Sequence, residues 1–319
     1  MIRTLTTLNN WWFPKVPAER LGLLRITTGA YTLWYLGSRV DLLSQVARTD
    51  HHLYDPVSLI QWISTPLSPS FFDTIVWLTL ALNICFLLGI AHRITGPLFA
   101  AAVYFTLCYR NSWSMVYHSH NVLVFHTLIL GVTQAADALS IDTLWRRRKK
   151  QDLKHHEPAA EYGWPIQLMC AVTVITYCLA GIAKLATPAG IMWAKGEALR
   201  DQVGVDALRK EVLGSEPGML APFFFDHIWI FTVMGIATLI VEAGAPLVMA
   251  NRRLSQLWCI AVIGMHWGIF FIMGIRFRYQ LSGLMFLSFF PLEKVLGKKW
   301  ERRLSPTSNE QQQAPISTE

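Results

Sequence analysis

The chain has 319 residues, 53% of them hydrophobic and 15% charged, with a formal net charge of +7. Its mean hydropathy of +0.34 is too apolar for a water-soluble domain of this length, and its apolar runs recur at membrane-spanning length. The basic residues gather in short segments between those runs instead of forming a patch, so membrane lipid is an expected partner and nucleic acid is not. The composition predicts an all-α fold, a polytopic membrane helix bundle of about eight transmembrane helices with both termini cytoplasmic.

Residues 1–18 read as an interfacial lead-in, because Trp11, Trp12 and Phe13 suit the headgroup zone and Pro14 and Pro17 prevent a continuous helix. No cleavable signal peptide is read there, so the first span, at 20–38, is expected to remain as an anchor. That span carries Arg25. The connection 39–70 reads as a loop, with a short surface helix at DPVSLIQWI. Spans two and three, 71–90 and 94–109, form a hairpin across His92 and Arg93, and span four covers 120–139. The run RRRKK at 146–150 reads as a cytoplasmic stop signal, with an anionic-lipid site as the other reading. Span five covers 164–186, and a long polar connection, 187–226, separates it from span six at 227–250. Span seven covers 254–275. The last apolar run, 279–292, is short and either crosses with its flanks or re-enters. Three parts follow: the segment 1–18, a transmembrane bundle over 19–295, and a polar tail, 296–319, expected to be disordered. With eight spans, the larger share of Lys and Arg lies on the side of both termini, which makes that side cytoplasmic.

The ionisable residues inside spans are the candidates for chemistry. Lys184 stands in an otherwise apolar run, where an ammonium costs about 2.5 to 3.5 kcal/mol on insertion scales. Thr173, Tyr177, Ala180, Gly181 and Lys184 share a small, polar helix face, and Pro188 with Gly190 ends the helix just beyond the lysine. Two readings stand side by side: a functional amine, or a lysine whose stem snorkels to the interface. Residue spacing sorts the charges into two depths. An outer layer holds Lys184, His120 and His266, which are expected to converge on a pocket where burial favours a neutral amine base. An inner layer holds Arg25 and Glu242, expected to form a structural ion pair. His126 faces away from His120 and is assigned to packing. The pairs His51-His52 and His118-x-His120 come without a carboxylate or thiolate set, and the five cysteines form no CxxC pair, so no metal is expected.

At these residues the sequence resembles the membrane domain of vitamin K-dependent gamma-carboxylases and the wider horizontally transferred transmembrane (HTTM) family. The carboxylase pattern AG-x-x-KL followed by W-x-x-G is similar to Ala180, Gly181, Lys184 and Leu185, then Trp193 and Gly196. His118-Ser119-His120-Asn121 resembles the family's histidine segment, with His120 in the histidine's place. VEAGAP, from Glu242 to Pro246, and the His266 span with its phenylalanine-rich end agree as well. The likeness covers most of residues 15–295. It implies a gamma-carboxylase-like lyase and quinone epoxidase: Lys184 as the base that deprotonates a reduced naphthoquinone, a vitamin K-like cofactor, and His120 as the residue that steadies the oxygenated intermediate. His266, Tyr177 and Trp193 are the residues expected to bind the cofactor. A lipid quinone and a secreted peptide or protein substrate are then the expected partners. The carboxylases carry a large extracytoplasmic domain after the membrane part, whereas this sequence stops soon after its last apolar run, so propeptide-directed carboxylation is not expected. The alternative is a non-carboxylating HTTM protein acting in maturation or export of a secreted peptide.

Overall fold

The computed structural model describes residues 8–113, 116–149 and 157–297; the tail expected to be disordered lies outside the described residues from 298 onward, as does Lys150 of the basic run. Among the described residues the chain is helical, and extended pairing is limited to one isolated bridge between Val16 and Ala159. The α-helices are α1 Ala18–Gly37, α2 Val40–Val46, α3 Pro69–Leu88, α4 His92–Asn111, α5 Asn121–Val132, α6 Ile141–Arg148, α7 Ala160–Ala186, α8 Gly190–Lys195, α9 Glu197–Val212, α10 Ala221–Phe224, α11 Ile228–Ala243, α12 Arg252–Met273 and α13 Arg278–Leu281.

Three of them, α3, α7 and α12, are long and apolar enough to cross a membrane, and α11 is a shorter apolar helix. Their boundaries have local causes. Pro69 opens α3 where its missing N–H is no loss, and Gly89 closes it in the left-handed region at φ 64°. The Asn251 side chain accepts from the backbone N–H groups of Arg253 and Leu254 and so caps the start of α12. α7 stops at Ala186 because the following Pro188 forces Thr187 out of helical geometry. Large apolar side chains such as Trp77, Ile175, Leu179, Leu257 and Ile260 stand exposed on these three helices, as lipid-facing positions do.

Helix α1 is the axis of the bundle and packs against α3, α5 and α7. α4 and α5 cross with their backbones touching, since a Cβ on Gly131 would come 2.6 Å from the Gly96 carbonyl oxygen. On the far side of α7, α11 and a 3-10 stretch, Ala245–Ala250, form one path, with the break at Gly244 and Pro246. At the helix α1 start, Arg20 forks onto Glu293 with two hydrogen bonds of 2.6 and 2.5 Å. Burial raises the Glu293 carboxylate, but the guanidinium more than offsets it and leaves the group below its ordinary value.

Several sequence expectations need correcting. The fourth span is helical only from Asn121 to Val132, and residues 133–139 form turns. The expected surface helix at DPVSLIQWI is only a 3-10 turn, Ser58–Ile60. The connection 187–226 is not a plain loop: it folds into α8, α9 and α10, held by a small apolar cluster of Val203, Ala221, Phe231 and Ile272. The repeat of Leu199 and Val203 at helical spacing could have shown this. The last apolar run becomes the four-residue α13 and a 3-10 stretch, Leu284–Phe289, whose Met285 and Phe286 are buried against α1, α7 and α12.

Candidate functional site

Lys184 lies two residues before the end of α7, and its Nζ donates to the Glu242 carboxylate of α11 at 2.6 Å. The lysine side chain is 22% exposed and the glutamate 8%. Close backbone approach makes this contact possible, since a Cβ at Gly181 would meet the Ala243 nitrogen at 2.5 Å. The Trp193 ring completes the surroundings of the amine, with its centroid 5.2 Å from Nζ. A cation over an indole face is attracted by the ring quadrupole, and the carboxylate supplies the counter-charge that an intramembrane ammonium requires.

Behind the pair, Tyr177 and Trp258 stand edge to face with centroids 5.3 Å apart, and Trp258 Nε1 donates to the Val241 carbonyl one residue before Glu242. Tyr177 Oη is 3.5 Å from His266 Nε2, the long end of hydrogen-bonding distance, while His266 Nδ1 lies 2.9 Å from the Val262 carbonyl. The carbonyl can only accept, which places the His266 proton on Nδ1 and leaves Nε2 to accept from Tyr177. Both rings are buried. Lys184, Glu242, Trp193, Tyr177 and His266 thus form one cluster between α7, α8, α11 and α12.

His120 stands at the entry to α5. It closes the 3-10 turn His118–His120 that leads into α5, and its Nε2 is hydrogen-bonded to the Tyr35 hydroxyl at the end of α1. Among the described residues no hydrogen bond joins it to Lys184; the contacts form a Lys184–His266 group and a His120–Tyr35 group. Phe277 lies between them, 5.2 Å from the His266 ring and 5.9 Å from the His118 ring. Around His120 the charge is one-sided. The Arg39 guanidinium lies 4.0 Å from the Tyr35 ring, Arg278 lies 5.8 Å from the Trp34 ring, and Arg110 lies 4.2 Å from the Tyr117 ring. Among the described residues none of these arginines forms an ion pair with a carboxylate, and Arg110 Nη1 is buried without a hydrogen-bond partner. Such a cluster attracts anions. Tyr35 and the three arginines were missed in the sequence; basic residues at several span ends were the available signal.

The expected Arg25–Glu242 pair is not formed. Arg25 is fully buried, and its guanidinium donates to the carbonyl of Phe86 at 3.2 Å and of Leu139 at 2.6 Å. Glu242 is taken by Lys184 instead. Residue spacing along straight, upright helices puts the two at different depths, whereas the ends of α7 and α11 meet at Gly181 and Ala243 and bring a residue of each presumed layer together. His126 holds a packing position with a polar role: its ring nitrogens lie 3.0 Å from Tyr279 Oη and 3.2 Å from Thr173 Oγ1, tying α5 to α13 and α7.

No family model, no curated protein and no solved structure matches this chain.

Proposed function

We propose that the chain is an HTTM-like multi-pass membrane protein, both termini cytoplasmic, whose Lys184–Glu242 pair is a proton-exchange centre for oxidation of a reduced quinone coupled to modification of a substrate. The observation that carries this reading is the pair itself: an amine and a carboxylate 2.6 Å apart in a largely buried setting. Moving one proton from Lys184 Nζ to Glu242 Oε2 removes both charges at once, and a low-dielectric site lowers the cost of that neutral state relative to water. The amine is then free to accept a proton, while Glu242 stores the one it received. Trp193 beside the amine, with Leu179, Ile182 and Leu185 exposed on the same end of α7, fits a planar, lipid-soluble aromatic arriving from the bilayer. When bound, such a quinol supplies an acidic hydroxyl and two electrons, with dioxygen as their acceptor. The arginines around His120, without a carboxylate partner among the described residues, suit an anionic group on the substrate.

Lys184→Arg separates this reading from a structural lysine. Arginine keeps the charge and the partner Glu242 but stays protonated, so it cannot serve as a base. The expected result is a folded protein whose quinol-dependent oxygen consumption in nanodiscs falls about a hundredfold or more. Full turnover in Lys184→Arg removes the base, and absence of turnover in the unaltered protein favours the non-carboxylating role in peptide maturation or export.

The topology has its own test. In a background without native cysteines, a cysteine at Ser215 is expected to react with a membrane-impermeant maleimide in intact cells, and one at Arg148 only after lysis. The opposite pattern inverts the protein.

A further inference from the structure

At the other end of the bundle a cavity of about 440 Å³ opens between the starts of α1 and α6 and the end of α3. It is distant from Lys184. The Val16–Ala159 bridge fixes the start of α1 beside the start of α7, and α7 is 27 residues long, or about 40 Å at ~1.5 Å per residue. The space exceeds that of a single water, whose share of liquid volume is about 30 Å³.

Three features describe what would fill it. Glu19 lines the cavity, is only 7% exposed, and among the described residues its Oε2 has no hydrogen-bond partner. A buried carboxylate oxygen in that state requires a donor, and a cationic donor satisfies both its charge and its lone pairs. The other carboxylate in the lining, Asp137, is already engaged by Arg146 at 3.2 Å. Arg147 also lines the cavity, is exposed, and among the described residues has no ion-pair partner. Arg146, Ser140 and Thr143 complete the polar part of the lining, the Arg146 charge being met by Asp137, and on the apolar side Leu88, Ile141 and Leu144 continue the wall onto the exposed surface.

A carboxylate at depth, a guanidinium at the rim and an apolar wall reaching lipid together define an amphiphile. We propose that this cavity binds the headgroup of an aminophospholipid. Its primary ammonium donates to the Glu19 carboxylate, its phosphodiester meets Arg147, and its acyl chains run over Leu88, Ile141 and Leu144. A quaternary choline headgroup has no N–H to give Glu19, and a glycerol headgroup brings no positive charge. The site is independent of the Lys184 chemistry and stands or falls separately from it.

The test uses the full chain in nanodiscs containing equal amounts of phosphatidylethanolamine, phosphatidylcholine and phosphatidylglycerol with matched acyl chains. Lipid retained on transfer to detergent is read by native mass spectrometry. Phosphatidylethanolamine is expected to be retained about tenfold over phosphatidylcholine, the scale of one charge-assisted hydrogen bond. Glu19→Gln is expected to abolish that preference, and Arg147→Gln to weaken retention of all three lipids without changing their order. Equal retention of the ethanolamine and choline lipids by the unaltered protein overturns the proposal without need of any variant. So does preference for phosphatidylglycerol, which reduces the site to simple attraction by the basic run. Retention of no lipid, or an undiminished preference in Glu19→Gln, overturns it too.

Discussion

Replacing Lys184 by Met should lower thermal stability by the equivalent of about 3 to 5 kcal/mol, because it leaves the Glu242 carboxylate buried without its counter-charge. Glu242→Gln should cost less, since Lys184 is 22% exposed and its long stem can carry the ammonium toward the interface. The double variant Lys184→Met/Glu242→Gln should recover most of the first loss, as neither charge then remains. A double-mutant cycle on thermal midpoints in detergent reads this directly. Strictly additive losses would show that the two side chains are not energetically coupled. This experiment concerns the pair and not its chemistry: a stable Lys184→Arg that lacks turnover together with a strong coupling energy supports a proton-exchange pair, whereas strong coupling with unimpaired Lys184→Arg leaves a structural ion pair.

The second large effect is expected at Arg25. Its guanidinium fills the space between the α3–α4 turn and the segment 139–142, donating to the carbonyls of Phe86 and Leu139. Asp142, in the same region, accepts from the backbone N–H groups of Ala91 and His92 at 2.8 and 2.9 Å and so caps the start of α4. Arg25→Met removes two charge-assisted hydrogen bonds from a fully buried position, so a loss of about 3 to 5 kcal/mol is expected. Arg25→Lys should rescue little, because one ammonium cannot reproduce a planar fork that serves two carbonyls. Gly89 gives an independent check. A Cβ there would collide with Arg25 Nη1, and its φ of 64° already disfavours a side chain. Gly89→Ala should therefore destabilise on its own, and combining it with Arg25→Met should cost somewhat less than the two losses summed, since the guanidinium clash disappears while the one with Ser140 Cβ at 2.5 Å stays. Losses summing without discount would mean that the glycine acts through its backbone angle and its contact with Ser140, not through Arg25.

What the sequence determined by itself was the helical, membrane character of the chain and the position of most of its long helices. Run length and hydropathy act locally, so α1, α3, α4, α7 and α12 begin and end within a few residues of the expected spans. The termination of α7 after Lys184 followed from Pro188, and the isolation of Lys184 in an apolar run marked it before any fold was known. The helical pattern in the connection after α7 was legible too, at Leu199 and Val203, and was overlooked because its surroundings are polar.

Partners were another matter. A buried charge announces that it needs compensation, but the sequence does not say whether an acid, a carbonyl or a ring will provide it. Arg25 found two backbone carbonyls, made available where α3 ends and where residues 133–139 leave helical geometry. Lys184 found Glu242, because Gly181 lets α7 approach the end of α11 at a crossing that no one-dimensional depth scale contains. His120 meets Tyr35 for the same reason: which side chains meet is set by helix packing and by where small residues permit close approach, and both are properties of three-dimensional packing between segments far apart in the chain.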